Sequence, residues 1–271
     1  MILLIDIGNS RIKWASINSN NNAQIIIKNR SNQTAINHQG HALTILENII
    51  QTLVPIQKIL MVHVLGGVFD TEVKRLMTQY SIPLRLIHSQ PRAYGISTHY
   101  AQANKLGADR FVAMLAAYQS QKNKACIVID CGTAITIDTV NRLGEHLGGV
   151  ILPGLSLCKE SLNKKAKNLQ KTGESNQVDS SIKLDKTTLF STDTQYGIQS
   201  GCYYGLVGAI KDICQKMEKT LIKSDIHSTK INKIICGGDA KVFYPLLSDY
   251  QLKADLVMDG LAYIAAETVK P

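Results

Sequence analysis

Short apolar segments alternate with turn-forming residues and longer amphipathic stretches along the chain, a pattern typical of an α/β protein. In the first half the pattern predicts three consecutive antiparallel strands and then alternating helices and strands. The strands are expected at 2–5, 12–17, 24–28, 59–64 and 84–88, and the helices at 41–53, about 69–80 and 107–122. The last of these helices carries apolar residues at helical spacing along one face.

The second half begins with the same order of elements. Three strands are predicted in "ACIVID", "AITIDTV" and "HLGGVILPG", followed by helices at about 154–169, 194–222 and 255–269 and a strand at 232–236. The polar stretch 164–193 is predicted to be a loop region. Because both halves open with the same strand order, we expect a duplicated architecture with domains at 1–122 and 123–271.

Polar residues interrupt this pattern at two corresponding strand ends. Asp6 and Gly8 follow "ILLI", and Asp130 and Gly132 follow "CIVI". Glycine permits positive φ and close approach of the backbone to an anion, small residues donate to phosphate oxygens, and a carboxylate organises a bridging cation. Two facing hairpins would then form a phosphate clamp of Asp6, Gly8, Asn9, Ser10, Lys13, Asp130, Gly132 and Thr133. The alternative, that both acids merely cap turns, is weakened by their matching positions.

Other features narrow the functional class. "CGGDA" at 236–240 follows a predicted strand and suggests a close backbone approach to the adenosine side of a nucleotide, although such a turn is also common without a ligand. No GxxxxGK[ST] or GxGxxG motif occurs in the sequence, which argues against a Walker loop and a Rossmann dinucleotide site.

Composition agrees with a folded protein that handles anions, since hydrophobic residues make up 45%, charged residues 19%, and the net charge is +9. The lysines form no dense run with aromatics, so a basic solvated surface explains most of the charge and nucleic-acid binding is disfavoured. The N-terminal apolar run ends at Asp6, too early for a signal peptide, and we expect no membrane segment. The six cysteines include no CxxC pair, so we expect a cytoplasmic protein without a disulfide framework or zinc site.

Taken together, these stretches resemble the type III pantothenate kinases of the acetate kinase, hexokinase and actin-like ATPase superfamily. The matching motifs are "DIGNSRIKWA" at 6–15, "YAQANKLGADR" at 100–110, "DCGTAITID" at 130–138, "GGVILPGL" at 148–155, "DTQYGIQSG" at 193–201 and "GGDA" at 237–240. The resemblance implies two ribonuclease-H-like domains with mixed sheets flanked by helices, and ATP in the cleft between them. Ser10 stands in place of the usual threonine, and "AQAN" in place of an asparagine–proline pair.

The resemblance also implies residue roles. ATP would be bound by Asp6, Ile7, Gly8, Asn9, Ser10, Arg11, Ile12, Lys13 and Thr133. Pantothenate would be bound by Tyr100, Gly107, Ala108, Asp109, Arg110 and Thr194. Asp109 would be the catalytic base, Asp130 would bind K⁺ or NH₄⁺, and Asp6 would help organise Mg²⁺, including through water. A homodimer with the acceptor pocket at its interface is implied as well.

Several alternatives stay open at this point. Asp109 would also suit the first turn of a helix as a purely structural acid. Arg110 would either bind the pantothenate carboxylate bidentately, which we favour, or simply pair with a surface acid. The function implied is ATP-dependent phosphorylation of pantothenate to 4'-phosphopantothenate, the first step of coenzyme A biosynthesis. The alternatives are another small-molecule kinase or phosphohydrolase of the superfamily, and a transcriptional accessory protein.

Overall fold

A computed structural model describes residues 1–17, 34–53, 55–165, 189–224 and 230–267. The strand predicted at 24–28 and residues 166–188 of the predicted loop region lie outside the described residues. Within the described ranges the predicted fold class, α/β with two mixed sheets flanked by helices, is confirmed. The predicted elements that lie there occur in the predicted order, together with strands that the sequence pattern did not predict, at Thr34–Asn37, Arg92–Ala93, Ile96–Thr98 and Gln251–Leu252.

The first sheet has five strands in the order β3-β2-β1-β4-β5. They are β1 (Ile2–Ile7), β2 (Arg11–Ile17), β3 (Thr34–Asn37), β4 (Lys58–His63) and β5 (Leu84–Leu86). The first three are antiparallel, and β4 and β5 run parallel to β1. Helices α1 (Ala42–Thr52) and α2 (Gly67–Gln79) bury their apolar faces, including Leu46 and Val73, against one face of this sheet.

The second sheet has seven strands in the order β12-β11-β8-β9-β10-β7-β6. They are β6 (Arg92–Ala93), β7 (Ile96–Thr98), β8 (Cys126–Cys131), β9 (Ala134–Val140), β10 (Glu145–Pro153), β11 (Asn232–Cys236) and β12 (Gln251–Leu252). From β10 to β12 the sheet repeats the order and strand directions of the first, which supports a duplication. The unpredicted strands β6 and β7 come from the first half of the chain but join the second sheet through β10.

Further helices cover the outer face of the second sheet and separate the two sheets. The outer helices are α4 (Leu155–Lys165), α5 (Thr194–Ser224) and α6 (Ala240–Phe243). Helices α3 (Ala108–Ser120) and α7 (Leu256–Glu267) pack on each other between the sheets, where Phe111 and Leu261 are fully buried. Their core contains Leu4 of the first sheet and Val128 of the second, so α3 is fixed against both halves. No helix in the described part of the chain combines the length and apolar character needed to cross a membrane.

Candidate active site

A cleft of about 450 Å³ lies where β1 and β8 end, between the two halves. Ten of the residues predicted for the nucleotide, cation and acceptor sites line it: Asp6, Gly8, Asn9, Ser10, Arg11, Lys13, Asp109, Asp130, Gly132 and Thr133. The turn at 237–239, the start of α4 and the start of α7 complete the wall. The two repeated strand ends and the first turn of α3 therefore converge on one space.

The first hairpin presents Asp6 and Lys13 from neighbouring strands. The two residues are directly paired in the β1–β2 register, and the Gly8 amide donates to the carbonyl of Arg11 at 2.9 Å to close the turn. A residue that sequence reasoning did not identify, the buried His38, donates from Nε2 to the carbonyl of Gly8 at 3.0 Å. We assign that proton because His38 Nδ1 accepts from the amide of Gly40.

The second hairpin presents Asp130, which is paired with Thr136 in the β8–β9 register. The turn after it is closed by the Gly132 amide, which donates to the carbonyl of Ala134 at 3.1 Å. The turn at 237–239 packs against this strand end, since a Cβ on Gly237 would collide with the Asp130 carboxylate. Gly237 has φ +94°, whereas the positive φ expected at Gly8 and Gly132 is not observed, because both turns close in ordinary backbone conformations.

A hydrogen bond joins the two hairpins across the cleft. Ser10 Oγ and Thr133 Oγ1 lie 3.0 Å apart. Both hydroxyls are therefore at the same point of the cleft, as a clamp on one phosphate group requires.

Three carboxylates share the floor of the cleft with a single lysine. Burial raises the pKa of Asp6 to about 7, Lys13 opposes that shift, and Asp109 and Asp130 add to it. Burial and the nearby Asp109 raise the pKa of Asp130 to about 6, and Lys13 again opposes the shift. Burial also raises the pKa of Asp109. The cleft therefore holds an excess of buried negative charge, which bound cations would relieve.

Asp109 lies in the first turn of α3, the "GADR" helix start. The buried hydroxyl of Ser89 donates to the carbonyls of Leu106 and Gly107, at 2.9 and 3.3 Å, and so fixes the entry to the helix. The adjacent Arg110 turns away from the cleft into a buried pair with Asp138, to which Nε and Nη2 donate at 2.8 and 2.6 Å. This is the pairing alternative considered for Arg110, with one correction: its partner Asp138 is buried, with 2% exposed, and is not a surface acid.

Some predicted site residues are not in the cleft wall. The side chains of Ile7 and Ile12 are fully buried in the core of the first sheet, so only their backbone atoms are available to a nucleotide. Tyr100 lies behind Asp109, and its hydroxyl accepts from Arg110 at 3.3 Å. Thr194 is exposed at the start of α5 and does not line the cleft. Gly107 and Ala108 lie at the start of α3, immediately before Asp109, and do not line the cleft.

The cleft offers oxygen donors for cations but no complete protein cage. Within the described ranges, no three His, Cys, Asp or Glu side chains are grouped so that they would hold a metal ion by themselves. Mg²⁺ is commonly held by one or two carboxylates together with substrate phosphates and water, and such an arrangement fits Asp6. The Asp130 carboxylate and the carbonyl of Cys131 both lie against Gly237, and that carbonyl accepts from the amide of Asp239 at 2.9 Å. On this side of the cleft Asp130 is therefore the oxygen ligand that fits a monovalent cation.

Comparison with known proteins identifies related chains over the full length. A sequence model of the family described as type III pantothenate kinase matches residues 2–216. The type III pantothenate kinase of Nitrosococcus oceani is 30% identical over 276 residues, covering 100% of this chain and 96% of the relative. The type III pantothenate kinase of Janthinobacterium sp. strain Marseille is 31% identical over 272 residues, with 98% of each chain covered.

Solved structures agree in fold. A Campylobacter jejuni protein described as a Baf family transcriptional activator has a TM-score of 0.56 at 20% identity, with 98% of this chain and 97% of that chain covered. A Sinorhizobium meliloti protein described as a 2-dehydro-3-deoxygalactonokinase has a TM-score of 0.54 at 12% identity, with 100% of both chains covered. At these identities the similarity establishes the fold alone.

Proposed function

The chain belongs to the type III pantothenate kinase family, whose enzymes phosphorylate pantothenate in coenzyme A biosynthesis, and we propose that the cleft between its two sheets is where this reaction occurs. The observation that carries the proposal is the meeting of Asp6, Asp109 and Asp130 around Lys13. Two of these acids end duplicated strands, and the third begins the helix between the sheets.

The two hairpins form the nucleotide side of the site. As a member of a kinase family the chain uses ATP, and its phosphates would lie against the Gly8–Ser10 turn and the Thr133 hydroxyl. Lys13 adds positive charge, and the N-terminus of α4 contributes the favourable end of its dipole to the same cleft. Phosphoryl transfer depends mainly on such positioning and charge stabilisation.

Asp109 is proposed as the base that accepts the proton of the pantothenate hydroxyl. Its raised pKa suits this role, because a general base works best when its pKa lies near the working pH. The helix-capping alternative is weakened by the structure of the cleft: Asp109 lines the space that also contains Asp6 and Asp130. An acid that only stabilised the N-terminus of α3 would keep more of its hydration free energy if it faced open water.

Two cations are proposed for the remaining acids, Mg²⁺ at Asp6 and K⁺ or NH₄⁺ at Asp130. When bound, the two ions supply positive charge that offsets the charge of the carboxylates and of the transferring phosphoryl group. The excess of negative charge around Lys13 supports both assignments, since the raised pKa values of Asp6 and Asp130 record how unfavourable their ionised forms are without a cation.

A homodimer is proposed on the family resemblance, with pantothenate bound near the interface. Ile151 is 62% exposed on β10, paired with the cleft residue Thr136, and Leu157 is 46% exposed in the cleft wall. Covering these apolar side chains with a second copy would remove them from water. In a dimer the exposed Thr194 would serve the partner's pocket. Light scattering tests this, and a fully active monomer would contradict it.

The reaction itself is tested by incubating the protein with ATP, Mg²⁺ and pantothenate in K⁺ or in Na⁺ buffer and detecting phosphopantothenate by mass spectrometry. We expect pantothenate-dependent product and faster turnover in K⁺. ATP hydrolysis that is indifferent to pantothenate would contradict the acceptor assignment while leaving the nucleotide side intact.

A further inference from the structure

A buried network of charged and polar side chains lies behind Asp109, outside the cleft wall. Its centre is the Asp138 carboxylate on β9, which accepts two hydrogen bonds from Arg110 and one from His146 Nε2 at 2.9 Å. The three side chains are almost inaccessible to water, with 8% of Arg110, 2% of Asp138 and 1% of His146 exposed. Although burial acts to raise the pKa of Asp138, the hydrogen bonds of His146 and Arg110 keep it below its usual value.

The two ring nitrogens of His146 each have one partner in this network. The amide of Tyr100 donates to Thr98 Oγ1 at 3.3 Å, and Thr98 Oγ1 lies 3.0 Å from His146 Nδ1. Because the ionised Asp138 carboxylate can only accept, the proton between it and His146 is on Nε2, while Nδ1 is paired with the Thr98 hydroxyl.

Tyr100 contacts three members of this network. The Tyr100 ring stacks on His146 with centroids 5.7 Å apart and planes at 22°, while the Tyr100 hydroxyl accepts from Arg110 Nη1. The backbone, ring and hydroxyl of Tyr100 are thus each held by a different member of the network. Because Arg110 directly follows Asp109, the same contacts fix the first turn of α3.

The sheet can form without a charged residue at the position of Asp138. In the duplicated first sheet, the register position that corresponds to Asp138 is occupied by the buried Ala15. A buried ion pair is weak evidence for a stabilising role, because its desolvation cost offsets much of its attraction. The sequence also keeps room for the pair: a Cβ on Gly149 would collide with Asp138 and lie 2.8 Å from Arg110 Nη2.

We propose that Asp138 and His146 are positioning residues of the acceptor site, which hold Tyr100 and the first turn of α3 so that the pantothenate hydroxyl meets Asp109. This inference rests on the proposed function. It also assigns the Nε–Nη2 edge of Arg110 to Asp138, so that this edge is not free for a bidentate bond to the carboxylate of pantothenate.

The test compares His146→Ala and His146→Gln with His63→Gln, a matched control. His63 is also a buried histidine, 2.8 Å from Asp70, but it belongs to the first sheet and does not line the cleft. We expect His146→Ala to raise the KM for pantothenate by about tenfold, the size of one or two lost hydrogen bonds in a buried charged network, and to leave the KM for ATP within about twofold. His146→Gln keeps a donor for Asp138 and should recover part of the loss.

The outcomes separate the inference from the proposed function. Wild-type protein without pantothenate-dependent turnover would overturn both. Active wild-type protein, with the KM for pantothenate unchanged in both His146 variants, would overturn the positioning role alone, as would an equal rise in both KM values or the same change in His63→Gln. If His146→Ala does not fold, His146→Gln carries the decision, with a KM for pantothenate raised by about threefold as the expected result.

Discussion

In the first hairpin of the cleft Asp6 lies opposite Lys13, whereas in the second hairpin Asp130 lies opposite Thr136. The two hairpins otherwise share their strand directions and their place in a sheet of the same strand order. Each turn is closed by a glycine amide, although the first turn is one residue longer. The same backbone therefore carries a paired carboxylate and lysine in one half and a carboxylate facing a neutral hydroxyl in the other.

This difference explains how a duplicated scaffold can take two different charges. A lysine beside the turn attracts phosphate, while a carboxylate without a cationic neighbour in its own hairpin leaves negative charge for a metal ion to balance. The buried network around Asp138 shows the same divergence, since Asp138 occupies the register position that Ala15 occupies in the first sheet. The two halves share one strand order, and a few polar replacements make their sites unequal.

The largest effect is expected from the residue that belongs to neither hairpin. Asp109→Asn removes the proposed base and should lower kcat by about 10²–10⁴-fold, the usual contribution of general base catalysis. ATP affinity should stay near the wild-type value, because the hairpins are untouched. Steady-state kinetics and calorimetric titration with ATP check both parts. An equal loss of ATP binding would indicate a structural acid.

Replacing the two register partners breaks the comparison directly. Lys13→Ala should raise the KM for ATP by about tenfold or more. Among the described residues that line the cleft, Lys13 is the only lysine, so the substitution removes its charge from the phosphate site. Thr136→Ala, the matched change in the second hairpin, should alter that KM by about twofold or less. Equal effects of the two substitutions would show that the hairpins do not divide their roles as proposed.

The link between the hairpins should have a smaller effect. Ser10→Ala removes the hydroxyl that meets Thr133, and an exposed neutral hydrogen bond contributes about 1 kcal/mol, so the KM for ATP should rise by about two- to fivefold. Ser10→Thr keeps the hydroxyl and serves as the control. A loss in Ser10→Thr as large as that in Ser10→Ala would mean that crowding, and not the hydrogen bond, matters at this position.

Removing the Asp6 carboxylate should stabilise the folded protein, although it should weaken the response to Mg²⁺. The folded-state pKa of Asp6, about 7, lies above the unfolded value, so ionisation costs folding free energy that is absent below about pH 4 and complete above about pH 7. Asp6→Asn should therefore stabilise the cation-free protein by on the order of 2–4 kcal/mol at pH 8, with a gain that shrinks toward pH 4. Thermal melts across this range test the prediction; Asp130→Asn, whose carboxyl has a pKa of about 6, should gain less.

The strand ends were accessible to sequence reasoning because their signal is local. An apolar run that stops at Asp6 or Asp130 before a glycine turn is visible without a fold, and so is the helix that begins near Asp109. The resemblance then attached roles to these positions, and family membership confirms the pantothenate kinase prediction.

The missed residues depend on contacts between distant segments. Asp138 ends the motif "DCGTAITID", and a carboxylate at an inward strand position signals a buried partner, but nothing local identifies Arg110 or His146 as that partner. His38 braces Gly8 from thirty positions away in the sequence. The strands β6 and β7, of two and three residues, are too short to produce a period, so their place beside β10 was not predicted.

The division of roles between the hairpins is tested most directly by titrating K⁺ and Mg²⁺ separately in the wild type, Asp6→Asn and Asp130→Asn, with pantothenate phosphorylation as the readout. We predict that Asp130→Asn loses the response to K⁺ but keeps the Mg²⁺ concentration for half-maximal rate, and that Asp6→Asn weakens the Mg²⁺ response but keeps the K⁺ response. A K⁺ response that survives in Asp130→Asn, or identical changes in both variants, would contradict the account.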